Sequence, residues 1–474
     1  MKKKYKVIVI GSGPGGSMAT SILAKNGVDV LVLERGKRFE RNEVKDFSSE
    51  ELNQKYRNAG LTAAIGRRAL INYAEADCLG GGSEINSGLY HTVPDQIIEE
   101  WEKKNRISID RRALTEAFKE IENKLNISYL PKGNLDRVSE KLKKGSNNLN
   151  WSCDEIPRWF SYEDGVHKKG IKQSMSETLI PEYINYGADV LVSSKVIKIK
   201  KSKGNTKEVC VLKDGKEISF FSDFIFLAAG SIHTPFILKK SGLKRNVGKG
   251  LKMHPSFKFT ALFPDEVHNE TIEVPVYQVK EFSPDITLGC SLSTKPFLGS
   301  NLYHTDNLEL LNEWKKMSNY YSMIKPQGVG NVHYSPLFSD PLVTFNLTKV
   351  DKFNIYKSIK LLARLLFESG ATALFPSITN YKSIKNLRDL DDIHKVPLSK
   401  LNLMTIHLFS SVQIGGDSSL FPLNPEGALW QDPSIYVTDG SMLPNSPSVN
   451  PQATIMALAK INTDTFLSNL VNEF

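Results

Sequence analysis

The chain has 474 residues, 40% hydrophobic and 24% charged, an ordinary composition for a folded protein and too long for a single compact core, so two domains are expected. A formal charge of +9 comes largely from scattered lysines with no long arginine-rich run, which reads as a solvated basic surface more than as a nucleic-acid or membrane patch, while leaving room for an anionic substrate or lipid surface. Four widely spaced cysteines (Cys78, Cys153, Cys210 and Cys290) make no metal-type spacing and nothing about them suggests a disulfide framework, so a reducing compartment is expected, and no stretch reaches the roughly 18 apolar residues of a membrane span.

The N-terminal "MKKKYKVIVI" has a basic end and a short apolar run but no small-residue cleavage pattern, so a cytoplasmic protein is expected. "KVIVI" reads as a strand buried on both faces, as in a parallel sheet. It runs into Gly11, Gly13 and Gly16, a G-x-G-x-x-G whose glycines serve a tight turn, close backbone approach to a pyrophosphate, and helix-on-strand packing in that order. A helix from about Gly15, carrying Met18, Ile22 and Leu23, would aim its N-terminal N–H groups at the phosphates. The next strand, "DVLVLE", ends in Glu34, 18 residues after Gly16, where a carboxylate accepts from ribose hydroxyls. The whole unit predicts dinucleotide binding without separating FAD from NAD.

Further along, "DCLGGGSEIN" offers consecutive glycines at 80–82, suited to an anion, to close packing under a ring, or to a tight turn. "ADVLVSSKVIKIKKS" and "KEVCVLKDGKEISFF" alternate as strands, with "DG" as a hairpin turn. "FIFLAAG" is another buried strand, and Pro235 is expected in the first turn of the helix after it. "KPFLGSNLYHTDN" and "MIKPQGVGNVHYS" read as turn-rich borders of a substrate entrance. "IYKSIKLLARLLFES" reads as a helix lying over antiparallel strands such as "DPLVTFNL", and "PQATIMALAKINTDTF" as a closing helix.

Taken together, "GSGPGG…LERG", "GGGSEIN", "AAGSIHTPFILKKSGL" with "VGKGLKMHP", and "VTDGSMLPNSPSVNPQATIMALA" resemble, in family order, the glucose–methanol–choline (GMC) oxidoreductases. The resemblance implies an α/β fold: a Rossmann-like FAD-binding domain plus an α+β substrate domain of antiparallel sheet and helices. The FAD-binding domain is assigned to 1–95, 165–258 and 412–474, and the substrate domain with its connecting helices to 96–164 and 259–411. It further implies that Gly82, Ser83 and Asn86 pass the pyrophosphate and flavin, that Val196 meets the adenine through its backbone, and that Asp439 and Gly440 contact the phosphate–ribityl chain. Pro451 and Gln452 run over the pyrimidine side of the flavin. Ile85 stands where family members with covalent flavin often carry histidine, so non-covalent FAD is expected.

The resemblance implies a catalytic pair of His407 and Asn450. His407 lies eight residues before Gly415, but Leu408 replaces the usual following proline and Ser410 and Ser411 the usual small glycines. Hydride leaves a carbinol carbon only as the hydroxyl proton is removed, and a histidine is a suitable base, while a neutral amide can hold the same oxygen. The flavin supplies the electron chemistry. His254 is expected to be structural, and His304 and His333 receive no role. The expected activity is therefore FAD-dependent oxidation of an alcohol (sugar, polyol, sterol or aliphatic), with oxygen, a quinone or a redox protein left open as electron acceptor. Lyase or other non-oxidising chemistry on the same fold, or a non-catalytic flavoprotein subunit, are the alternatives.

Overall fold

In the computed structural model, residues 3–131, 136–162, 170–202, 204–268 and 276–472 are described. Strand Lys4–Ile10 lies at the centre of a mainly parallel sheet, with Val30–Leu33 and Asp189–Leu191 on one side and Lys216–Leu227, Asp432–Val437 and Ala428–Leu429 on the other. Its core positions are fully buried, as the unbroken apolar run requires. The chain leaves this central strand toward one side and later returns on the other. That arrangement opens a crevice beyond the strands' C-terminal ends. Ile10 stands level with Leu33 and Leu227, and Leu227 with Val437, so the turns after all four strands meet at one edge.

Helix Pro14–Lys25 begins with proline in its first turn, where a missing N–H costs nothing, and ends before Gly27 in the left-handed region. The hairpin joining Lys207–Lys213 to Lys216–Leu227 turns on Asp214 and Gly215, both at positive φ, as its "DG" signal predicts. Helix Gly230–Lys240 starts earlier than expected, so Pro235 falls in its second turn. The Ser231 carbonyl that Pro235 cannot bond accepts instead from Ser411 Oγ, which makes the proline tolerable there. The closing helix, Gln452–Asn472, is buried on nearly all sides at its start, including Ala453, Met456, Ala457 and Ala459, and not along one stripe only.

A second, larger sheet has thirteen strands among the described residues, most of them antiparallel. Helix Lys349–Glu368, opened by a Thr348–Asp351 capping box, covers one face with Ile355, Ile359, Leu362 and Leu366. Strands Thr62–Ile65 and Leu70–Tyr73 pair in this sheet, although the sequence reading counts residues 1–95 with the nucleotide-binding part. Pairing of Leu70–Tyr73 with Leu403–Thr405 is a contact between residues over 300 apart, which no local pattern signals. Two segments expected to be turn-rich are mostly regular: Lys295–Tyr303 is a helix, and Met317–Ile324 and Val329–His333 are strands joined by a short turn.

Candidate functional site

The crevice at the parallel strands' ends is a cavity of about 310 Å³. Gly11, Gly13, Glu34, Gly82, Asn86, Val196, Asp439, Gly440, Asn450, Pro451, Gln452 and His407 all line it. Residues from six separate parts of the sequence thus meet in one space.

The first three glycines have three different reasons to be glycine. Gly11 has φ 104°, and a Cβ there would lie 2.2 Å from the Ala228 carbonyl oxygen. At Gly16 a Cβ would lie 2.2 Å from the Gly11 oxygen, so only glycine lets the helix rest on the strand. At Gly13 a Cβ would meet nothing within 4 Å and would project into open space, as it would at Gly82 and Gly230. That bare backbone around an elongated space fits a dinucleotide pyrophosphate, and FAD is the group the sequence implies.

Buried acids frame this cradle. Glu34 accepts from the Ser12 amide (3.0 Å), Ser12 Oγ (2.6 Å) and the Gly36 amide (2.7 Å). Burial raises its carboxyl above the ordinary value, and these three bonds oppose the shift. Ser12 Oγ in turn accepts from the Gly80 amide, tying the two glycine loops together. Asp439 accepts from the Gly230 amide (2.8 Å) and Thr234 Oγ1 on one oxygen, and from the Ser441 amide and hydroxyl on the other. Its carboxylate therefore fixes the start of helix Gly230–Lys240 against the turn after Asp432–Val437.

Ser83 departs from expectation. Its hydroxyl donates to the Gly80 carbonyl and accepts from the Met175 amide, so it is buried in the loop's base and does not line the cavity. Asn86 lines the cavity and donates to Gln452 Oε1 at 2.5 Å, which joins the glycine loop to the closing helix. Ile85 faces the cavity at the position expected to decide covalent attachment. Cys78 also lines it, but burial raises its thiol far above the ordinary value, so it is not a ready nucleophile.

His407 and Asn450 line the same cavity as Glu34. Asn450 immediately precedes the closing helix, whose Ile455 amide donates to the Pro451 carbonyl (2.9 Å). Among the described residues the Asn450 side chain makes no hydrogen bond, which leaves its amide free for a ligand. His407 is not isolated. Its Nδ1 lies 3.1 Å from His254 Nδ1, and His254 Nε2 lies 2.7 Å from Ser446 Oγ. His254, expected to be structural only, is therefore a direct partner of His407. No local pattern in "KMHP" signals this contact, because only the fold brings residues 254, 407 and 446 together. Burial lowers His407 to about 4 and His254 well below the ordinary value, so both rings are neutral at pH 7.

Leu408 pairs with Met253 in the larger sheet, a strand position at which its amide is retained, and Ser410 takes a positive φ of 68°, where glycine would fit without strain. His333, exposed and bonded to Thr344, and His304 do not line the cavity. Among the described residues no cluster of His, Cys, Asp or Glu could hold a metal, and no helix is long and apolar enough to cross a membrane.

Comparison with known proteins adds independent support. Residues 52–256 and 326–459 match the family described as GMC oxidoreductase, and residues 9–40 match the NAD(P)-binding Rossmann-like domain. The chain is 34% identical to an uncharacterized GMC-type oxidoreductase of Sinorhizobium fredii (strain NBRC 101917 / NGR234), over 98% of this chain and 95% of that protein. It is 24% identical to a long-chain-alcohol oxidase of Arabidopsis thaliana, over 96% of this chain and 67% of that one. Among solved structures, pyridoxine 4-oxidase from Mesorbium loti superposes with a TM-score of 0.74 at 14% identity, covering 98% of this chain and 99% of that one. An Aspergillus oryzae formate oxidase variant studied for FAD modification gives 0.77 at 14% identity, covering 100% and 99%.

Proposed function

Because the chain belongs to the GMC oxidoreductases, an FAD-dependent family, we propose that it oxidises a hydroxyl-bearing carbon of a small-molecule alcohol, with His407 as base and Asn450 holding the hydroxyl. The observation that carries this reading is that a neutral His407 and an unengaged Asn450 line the same cavity as the glycine cradle and Glu34. Bound FAD supplies the hydride acceptor. Gly13 and Gly82 would leave room for its pyrophosphate, Glu34 and Val196 would flank its adenosine half, and Ile85, Asn86 and Gln452 would border its ring.

The protein's own part is proton handling and orientation. The His254 contact admits two tautomeric arrangements. In one, His407 donates its Nδ1–H to His254, which donates its Nε2–H to Ser446, and the Nε2 lone pair of His407 is left open. That arrangement makes a base. The hydroxyl proton moves to His407 Nε2, electron density builds on the substrate oxygen, and the adjacent carbon can then release hydride. Asn450 fixes the oxygen so that the C–H bond points at the acceptor.

FAD is held without a covalent bond in this reading, since Ile85 offers no nucleophile and Cys78 is a buried, protonated thiol. Acid precipitation should release all the yellow colour into the supernatant. The activity itself is tested by anaerobic titration of the purified flavoprotein with an alcohol panel. Bleaching by at least one alcohol is expected, and no bleaching by any would point to non-oxidising chemistry. Readmission of oxygen then separates acceptors: fast recovery with peroxide marks an oxidase, slow recovery a dehydrogenase.

A further inference from the structure

A polar row crosses the larger sheet on one face. Gln278 stands opposite Gly289, Gly289 opposite Tyr321, and Tyr321 opposite Lys258, so these positions on four adjacent strands share a face. A Cβ on Gly289 would come 2.8 Å from the Tyr321 ring, which lies across it to receive Gln278 Nε2 at its hydroxyl (2.7 Å). Lys280 donates to Gln278 Oε1 (2.7 Å), and His91 Nε2 stands 2.9 Å from the same oxygen and 3.3 Å from Lys280 Nζ. Strand Ser256–Leu262, which carries Lys258, begins two residues after His254, the partner of His407, so the row starts beside the proposed base.

The row carries cations without anions. Buried lysines elsewhere have their ammonium groups accounted for: Lys207 on Asp432 (2.8 Å), Lys172 on the carbonyls of Glu84 and Asn86, Lys252 on those of Gln327 and Gly328. Lys258 has no carboxylate and no hydrogen-bond acceptor among the described residues, only the Phe297 ring at 5.9 Å. Lys280 has a neutral amide, with Asp154 acting on it only from a distance. Burial pulls both lysines down to about 8, so near neutral pH each is still largely charged. His91 Nδ1 is also buried without a hydrogen-bond partner among the described residues. Lys258, Lys280 and Tyr321, like His407, are half-buried and keep accessible surface. An uncompensated buried ammonium is a standing cost to the fold, and a ligand anion would remove it.

We propose that the substrate is an alcohol carrying an anionic group, a carboxylate or a phosphate, which is received by Lys258, Lys280 and the Tyr321 hydroxyl. Tyr321 accepts from Gln278 and keeps its own O–H for the anion; the substrate hydroxyl lies toward His407 and Asn450. This inference rests on the proposed function only for that last placement.

The test is titration of the FAD-loaded protein with butyrate and, separately, inorganic phosphate, followed by flavin difference absorbance and by calorimetry, for wild type, Lys258→Met and Lys280→Met. Saturable binding of at least one anion is expected in wild type, weakened tenfold or more in each variant. The Lys258→Met protein should melt no lower than wild type, because methionine replaces an ammonium that the fold alone does not use. Butyrate binding without phosphate binding would mark a hydroxy acid, and the reverse a phosphorylated alcohol. No binding of either anion to wild type, unchanged affinity in both variants, or a clearly lower melting temperature for Lys258→Met would overturn the proposal. Binding is read without turnover, so failure of every alcohol to bleach the flavin would remove the proposed function and leave this result standing.

Discussion

The cradle at the ends of the parallel strands and the polar row on the larger sheet treat buried charge in opposite ways. In the cradle, Glu34 and Asp439 are surrounded by donors from their own neighbourhood, three bonds on one and four on the other. In the row, among the described residues, Lys258 has no acceptor to donate to and Lys280 donates only to an amide oxygen. The cradle is complete as a piece of protein and uses its acids to hold loops in place. The row is incomplete until something enters it. His407 and Asn450 line the cradle's cavity, and the predicted effects test whether that division of labour is real.

The largest expected effect is on turnover. His407→Ala should lower kcat for the active alcohol about a thousandfold, about 4 kcal/mol of barrier, with FAD content unchanged. Rapid-mixing measurement of flavin reduction checks it. A loss confined to KM would move His407 out of the chemistry and into binding.

Next comes acid sensitivity of the fold. His407 titrates near 4 in the folded chain and near 6.5 unfolded, so above pH 6.5 it is neutral in both states and costs nothing. As pH falls from 6.5 toward 4, the unfolded chain gains a proton that the folded one refuses, and stability drops by about 3 kcal/mol. His91 and His254 shift in the same direction and add to the loss. Denaturant unfolding at pH 7 and at pH 4.5 measures the slope, and His407→Gln should flatten part of it.

Smaller effects should distinguish two glycines three residues apart. Gly16→Ala forces a Cβ against the Gly11 carbonyl and should destabilise the protein by about 2 kcal/mol. Gly13→Ala should leave apoprotein stability alone but empty the protein of FAD, because its Cβ meets only open space. Equal melting temperatures for the two variants would break the distinction. His254→Gln should lower kcat about tenfold, about 1.4 kcal/mol, and move the acid limb of the pH profile, since His407 would lose the partner that sets its tautomer. A stability loss with an unmoved profile would return His254 to a structural role.

These two regions also differ in how far the sequence discloses them. The cradle is written in short runs: Gly11, Gly13 and Gly16 with Glu34, the glycines at 80–82, and the stretch from Asp439 to Gln452 each announce themselves through local backbone requirements. The row is not written anywhere in one piece. Gln278, Tyr321 and Lys258 come together only through antiparallel register, and in the sequence each is an ordinary strand residue. The same reason hides the His254–His407 contact, and it explains why Thr62–Tyr73 reads as part of the first region yet pairs in the second. Ser83 misled in the other direction: a motif position was legible, but which way its hydroxyl turned depended on Met175, 92 residues away.

Ser410 stands at the seam and gives the smallest effect. Leu408 and Phe409 pair with the larger sheet, while the Ser410 amide donates to the Gly440 carbonyl in the cradle (3.0 Å), so the chain must turn sharply between the two. It does so at φ 68° with a buried serine hydroxyl that has no partner among the described residues. Left-handed backbone costs a non-glycine residue about 1–2 kcal/mol, and the orphaned hydroxyl adds to that, against about 1 kcal/mol of extra chain entropy for glycine. Ser410→Gly should therefore stabilise the protein by about 1 kcal/mol in denaturant unfolding. If the variant is more stable and its rate of flavin reduction falls, the strain three residues after His407 helps to aim that ring, and the seam is part of the site. If the rate is unchanged, the strain is only the cost of joining the two regions.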